Sequence, residues 1–136
     1  MEIRRLGPDE EDLLRAAVRL LRDVEAPAPD LFLQDPRTHT FVAIDDGSVV
    51  GAAYGYELLR PEGRWMILLY EIGVAEPQRR QGVGRALMDA FVAFARSKGH
   101  TKMWLVTDAG NEAARRLYEG AGAEHTEELG YWWVFG

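Results

Sequence analysis

The sequence predicts an α/β domain, a central sheet with helices on its faces, built in the order β-α-β-β-β-α-β-α-β. Three observations predict it. Apolar residues recur at helical spacing over 9–25 and again over 83–98. Between these segments, Trp65–Val74 is apolar at nearly every position, as a central strand buried on both faces requires. Turn signals at Asp45-Asp-Gly47 and from Pro61 to Gly63 divide the intervening chain into strand-length pieces.

Taken in order, residues 2–6 can form a first strand. Gly7 and Pro8 punctuate, and Asp9 is placed to cap the helix expected over 9–25. In that helix Leu13, Leu14, Ala17, Val18, Leu21 and Val24 share a face. Asp9, Glu10, Glu11 and Asp12 suit the positive end of its dipole. Ala26-Pro-Ala-Pro-Asp30 ends it, and 31–37 reads as a short turn or loop. Thr40–Ile44 and Ser48–Leu59 form a predicted hairpin, followed by the strand Trp65–Val74. A helix over 83–98 carries Val83, Leu87, Phe91, Phe94 and Ala95 inward and stops at Gly99. Lys102–Thr107 is a further strand. Residues 111–120 form a helix with Ala113, Ala114, Leu117 and Tyr118 on one face. The stretch from Gly122 to Phe135 is expected to be strand, kinked at Gly130.

At 136 residues, 47% of them hydrophobic, the chain fits one domain over 1–136 and has apolar material for one core. There is no cysteine, which excludes disulfides, thiolate metal sites and a cysteine nucleophile. His39, His100 and His125 show no ligand spacing, so no metal is expected. The opening MEIRRLGPDE lacks the apolar stretch of a signal peptide, and no window approaches ~20 uninterrupted apolar residues. A soluble, cytoplasmic protein without a membrane partner is the expectation. The net charge of −6 argues against nucleic acid as a partner and is compatible with a cationic substrate.

The informative segment joins Val74 to Leu87: Val-Ala-Glu-Pro-Gln-Arg-Arg-Gln-Gly-Val-Gly-Arg-Ala-Leu. A buried strand runs into a turn holding Arg79, Arg80, Gln81, Gly82, Val83 and Gly84, and a helix starts inside it. Glycines let the backbone bring several N–H groups to one anion, and the helix N-terminus adds unpaired donors. Arg79, Arg80 or Arg85 can add charge-assisted bonds to phosphate oxygens. Neither GxxxxGK[ST] nor GxGxxG occurs, which disfavours nucleoside triphosphate and dinucleotide sites. The alternative is that the glycines merely turn the chain and the arginines are solvated.

Arg79-Arg-Gln-Gly-Val-Gly84 resembles the acyl-coenzyme A loop, [R/Q]-x-x-G-x-G/A, of the GNAT acetyltransferase superfamily. Glu71-Ile-Gly-Val-Ala-Glu-Pro77 is similar to the strand entering that loop. Asn111-Glu-Ala-Ala-Arg-Arg-Leu-Tyr-Glu-Gly-Ala-Gly122 resembles its late N-x-x-A-x-x-L-Y-x-x-x-G motif. The resemblance covers essentially the whole chain. It implies a mixed, mostly antiparallel sheet with helices on both faces, acetyl-coenzyme A as co-substrate, and acetyl transfer to a primary amine of a small molecule. Arg5-Leu-Gly-Pro-Asp9, Val49-Val-Gly-Ala52 and Tyr70-Glu-Ile-Gly-Val74 resemble in particular the type I aminoglycoside 3-N-acetyltransferases. In those an acidic residue, usually Asp, stands where this chain has Glu71. They also tend to be acidic near the C-terminus, where this chain has Tyr131-Trp-Trp-Val-Phe135, with Glu124, Glu127 and Glu128 just upstream.

In such a transfer an amine attacks a thioester, so a base must deprotonate it and a fixed donor must hold the oxyanion. Glu71 is the candidate base, since a carboxylate is otherwise out of place in its strand. Strict alternation puts it on the face of Trp65, Ile67, Leu69 and Gly73, where apolar surroundings would raise its pKa. Alternatively it fixes the substrate ammonium and a water takes the proton. The resemblance implies a backbone N–H among Ile72, Gly73 and Val74 as the oxyanion donor. It also implies Tyr118 as acid for the departing thiolate, and Asn111 on the pantetheine arm. Tyr118 can equally be a core aromatic, and Asn111 a helix N-cap. Asp108 can hold the amine or cap a helix. Tyr54 and Tyr56 can line the acceptor pocket or the core. Trp132 and Trp133 can pack in a homodimer, the expected assembly, or wall the acceptor site; His125 is a minor candidate base. Two rival functions are the same chemistry on a polyamine, amino acid or peptide N-terminus, and an acyl-coenzyme A sensor without turnover.

Overall fold

The computed structural model describes residues 1–136. Five strands form one sheet in the order β1-β2-β3-β4-β5. They are β1 (Glu2–Arg5), β2 (Thr38–Asp45), β3 (Ser48–Leu59), β4 (Trp65–Val74) and β5 (Met103–Trp104), interleaved with α1 (Glu11–Arg22), α2 (Pro29–Gln34), α3 (Val83–Ser97) and α4 (Glu112–Gly120). The first four strands pair antiparallel, and β5 runs parallel to β4. This is the mixed, mostly antiparallel sheet that the family resemblance implies. No helix is long and apolar enough to cross a membrane.

The core covers both faces of the one sheet and so divides into two clusters. Leu14 and Ala17 of α1 pack on Val42 and Ala52, with Phe32 of α2 beside them. On the opposite face α3 buries Val83, Leu87, Met88, Phe91 and Ala95, spaced so that all lie on one side of the helix. These residues meet Phe41, Ala43, Ala53, Ile67 and Leu69. Phe91 and Phe41 pack at a tilt of 56° with ring centroids 4.9 Å apart. Each such fully buried side chain contributes ~1.5–3 kcal/mol by leaving water.

Four expectations need correction. Residues 29–34 are helical rather than loop, because Pro29 sits in the first turn, where its missing N–H costs nothing, and Asp30 faces the positive helix end. Asp9 does not cap α1. The N-cap is Glu10, whose carboxylate turns back to accept the Gly7 N–H at 2.9 Å. The strand expected over 102–107 shrinks to Met103–Trp104, because the ladder with β4 holds only at Ile67–Met103 and Leu68–Trp104. The strand expected towards Phe135 does not form. A strand needs an edge of comparable length to join, and a two-residue β5 does not offer one. Trp132, Trp133, Val134 and Phe135 are left exposed.

The loss of the β4–β5 ladder after Leu68 shapes the rest of the molecule. From Leu69 to Val74, β4 has a strand partner only on its β3 side. A bulge lies opposite, where Tyr54 pairs with Glu71 but Gly55 pairs with Leu69, so Tyr70 is the extra residue. A bulge reverses which face the following side chains meet. Ile67 and Leu69 point into the α3 core, and beyond the bulge Ile72 and Val74 do so instead.

Candidate active site

Strict alternation fails at Glu71 for this reason. The bulge turns Glu71 away from the face of Ile67 and Leu69 and towards α1. It faces the same way as Gly73, beside which Leu21 of α1 packs. Its surroundings are correspondingly not purely apolar. Glu71 Oε1 accepts from Arg22 Nε at 3.0 Å and from the Tyr54 hydroxyl at 2.9 Å, while Arg22 Nη2 reaches the same hydroxyl at 3.3 Å. Every one of these bonds ends on Oε1 or on Tyr54, so Oε2 is free to accept from a ligand. Burial first, and then the Glu71 carboxylate, push the Tyr54 hydroxyl up to about 12. It therefore stays protonated and donates to Glu71. Tyr70 stacks on Tyr54 with centroids 5.7 Å apart, and Phe32 meets Tyr54 edge-on at 5.7 Å.

Below the cluster a cavity of about 350 Å³ opens between α1, α2 and the sheet. Arg22, Phe32, Tyr54 and Tyr56 are among its walls. Tyr54 and Tyr56 thus line a pocket rather than the core.

At the end of β4 the chain makes a short 3₁₀ turn over Glu76–Gln78 and enters the glycine loop. Arg80 and Gly82 both adopt left-handed backbone, with φ of 65° and 84°. For Gly82 that conformation is free of steric penalty. Alternating backbone of this kind turns successive N–H groups to one side, which makes a nest for an anion. No side chain caps α3, and the first amide to find a helical acceptor is that of Ala86, 3.0 Å from the Gly82 carbonyl. The earlier amides, at Val83, Gly84 and Arg85, therefore remain available at the positive end of a 15-residue helix. The three arginines divide their roles. Arg79 folds back onto the Val74 carbonyl at 3.1 Å and fastens the turn to β4. Arg85 pairs along the helix with Asp89 at 2.9 Å. Arg80 is left exposed without a partner of its own, and Gln81 bonds the Pro77 carbonyl.

The late motif closes against this loop. A side chain at Gly84 would press on Leu117 of α4, whose Cδ2 lies 3.3 Å from the position of a Cβ there. Glycine at 84 is what lets α4 sit so close to the start of α3. Asn111 is the N-cap of α4, its Oδ1 accepting the Ala114 N–H at 3.1 Å. Tyr118 is half-buried beside the α3 core, and burial raises its hydroxyl above the ordinary value. It is therefore protonated at neutral pH, the state that a donor to a thiolate requires. Asp108 caps no helix and does not join the Glu71 cluster; its side chain is exposed, and its carbonyl accepts from Asn111. His125 is likewise exposed and outside the cluster.

The sequence model of the acetyltransferase (GNAT) family matches residues 10–123. The chain belongs to the GNAT acetyltransferase family. N-acetyltransferase 8 of Rattus norvegicus is 32% identical over 98 residues, which are 71% of this chain and 44% of that protein. The GNAT chain thus spans less than half the length of the curated relatives it matches. Among solved structures, an aminoglycoside acetyltransferase from an uncultured soil metagenomic sample superposes with a TM-score of 0.90 at 20% identity, over 98% of this chain and 95% of the other. An aminoglycoside N-acetyltransferase in complex with coenzyme A superposes at 0.81 and 22% identity, over 99% of this chain and all of the other. At such identities the likeness is one of fold.

Arg22 and Tyr70 are site residues that the sequence did not disclose. Arg22 is one of several arginines on α1, and nothing local marks it as the one that reaches across to β4. Tyr70 carries no local mark either, because residues 65–70 are apolar or aromatic without a break and so show no alternation for a bulge to interrupt.

Proposed function

We propose that this chain is an acetyl-coenzyme A-dependent N-acetyltransferase that acts on a primary amine by direct attack on the thioester. One observation carries the reading: a carboxylate with a free oxygen stands on the strand whose open edge leads into an uncapped, glycine-built helix N-terminus. The amides around Gly82 and Gly84, with Arg80, fit a pyrophosphate. The open edge of Ile72, Gly73 and Val74 fits the extended pantetheine amides and offers N–H groups to the oxyanion. Asn111, with Oδ1 committed to its cap, has only its amide nitrogen to give to the pantetheine arm.

In this reading Glu71 Oε2 receives the substrate ammonium and takes its proton, directly or through a water. The amine nitrogen bonds to the acetyl carbon, the carbon–sulfur bond breaks, and Tyr118 protonates the departing thiolate. The glycine-loop variant Arg80→Ala/Gly82→Asp should weaken acetyl-coenzyme A binding at least about tenfold by calorimetry; unchanged affinity would place the phosphates elsewhere. A free Oε2 at the thioester strand supports turnover over a silent sensor.

An aminoglycoside acceptor, acetylated at its 3-N position and so linked to antibiotic resistance, is the second reading. The motifs shared with type I aminoglycoside acetyltransferases and the common fold support it. Asp108, exposed near the start of α4, would then serve as an additional anchor for a cationic group. The exposed Trp132 and Trp133 support a homodimer, which sedimentation would test. The deciding experiment is coenzyme A release measured against gentamicin-like aminoglycosides, spermidine, amino acids and a short peptide. Release with none of them, despite acetyl-coenzyme A binding, would favour the sensor.

A further inference from the structure

The walls of the acceptor cavity narrow the substrate class, on the footing that the chain is an N-acetyltransferase. Arg22 is the one charged residue among those walls, which are otherwise apolar and aromatic: Leu14, Val18, Leu21, Phe32 and Tyr56 are typical. No carboxylate lines the cavity, and Glu71 stands at its rim already bonded to a guanidinium. A polycation entering here would bring a second ammonium up to Arg22 and into apolar surroundings, and both contacts are unfavourable.

The rim has the opposite complement. Glu71 uses Oε1 for both of its partners and leaves Oε2 free. Arg22 uses Nε and Nη2 and leaves Nη1 free, with half of its side chain exposed. One bonded carboxylate–guanidinium pair therefore keeps a free oxygen and a free nitrogen at the mouth of an apolar pocket of about 350 Å³. The ligand complementary to that pair carries an ammonium and a carboxylate on neighbouring atoms, with an apolar group behind them. We propose that the acceptor is an α-amino acid, or a derivative retaining its α-carboxylate, with a bulky apolar or aromatic side chain, and that Arg22 selects it by binding that carboxylate.

The ammonium then meets Glu71 Oε2 beside the thioester strand, the carboxylate meets Arg22 Nη1, and the side chain fills the cavity against Phe32 and Tyr56. During transfer the nitrogen–carbon bond forms as the carbon–sulfur bond breaks. One ammonium proton leaves through Glu71 and another is shed as the amide forms, while the thiolate collects one, so a single proton is released per turnover.

The test compares L-phenylalanine, phenethylamine, which is the same molecule without its carboxylate, and spermidine, using the full chain and its Arg22→Ala and Arg22→Lys variants. The wild type should prefer phenylalanine to phenethylamine at least about tenfold in kcat/KM, mostly through KM. Arg22→Ala should erase that ratio, and Arg22→Lys should restore part of it. The two substrates share Glu71 and the cofactor site, so general damage to either cancels in the ratio. Equal use of phenylalanine and phenethylamine, preference for spermidine, or a ratio unmoved by Arg22→Ala overturns this assignment and leaves the acetyltransferase reading standing. Acetyl-coenzyme A binding without release on any amine overturns both.

Discussion

Two glutamates on neighbouring strands, Glu57 of β3 and Glu71 of β4, face opposite sides of the sheet and have opposite surroundings. Glu57 is buried, with 8% of its side chain exposed. His39 Nε2 meets one oxygen at 2.5 Å, His100 Nε2 meets the other at 2.8 Å, and Lys98 stands at 3.8 Å. Arg5 donates to His39 Nδ1 at 3.0 Å. An arginine nitrogen can only donate, so Nδ1 accepts, the ring proton sits on Nε2, and His39 is neutral. Glu71 has one oxygen bonded and one open, with 27% of its side chain exposed. A buried carboxylate with both oxygens engaged fastens elements together, here β2, β3 and the end of α3. The half-engaged carboxylate keeps one oxygen open to a ligand.

The largest effect that could break this contrast is on turnover. Glu71→Gln should bind acetyl-coenzyme A normally and lose ~10²–10⁴-fold in kcat, while its unfolding free energy stays within about 1 kcal/mol of wild type. A normal rate in that variant removes Glu71 as base. The reciprocal variant, Glu57→Ala, strands two imidazole N–H groups and should cost ~3–5 kcal/mol in urea unfolding, with the folded fraction still active. A cost under about 1 kcal/mol would mean that the buried cluster is not a fastening.

Acid should find the same difference. Burial holds His39 below its ordinary 6.5 despite the pull of Glu57, so the unfolded chain takes up this proton first as pH falls. Stability tied to neutral His39 is whole above pH 6.5 and is lost as pH falls from there through the lower folded value. Burial pushes the Glu57 carboxyl up, but its bonds to His39 and His100 and the charge of Lys98 outweigh that and hold it below 4.5. Its contribution is whole above 4.5 and fades at lower pH. Unfolding curves carried from pH 7 down to about 2 should show both limbs, and His39→Gln should lack the upper one. The smallest expected effect is that of Tyr54→Phe. It removes one donor from Glu71 Oε1 and should lower kcat about tenfold or less with little change in stability.

The same two residues show what was legible in the sequence. A charged residue inside an apolar strand marked Glu71, and the same signal stood at Glu57 in Ser48–Leu59, where it went unread. A local pattern reports that a carboxylate is out of place without telling which partners reach it. His39, His100 and Lys98 come from β2 and the segment around the end of α3, and Arg22 from the last turn of α1. None of them is near its glutamate in the chain.

The sequence alone determined the fold class, the glycine loop with its late partner motif, and four of the five strands at nearly their observed bounds. These follow from hydrophobic period, turn chemistry and motif spacing, which are properties of contiguous residues. The tertiary structure alone decided the bulge at Tyr70 that swings Glu71 onto the α1 face, the early end of β5 that opens the edge of β4, and the arginine that stands in the wall of the cavity between α1, α2 and the sheet. Each depends on which strand pairs with which and for how long, a balance struck between segments distant in the chain.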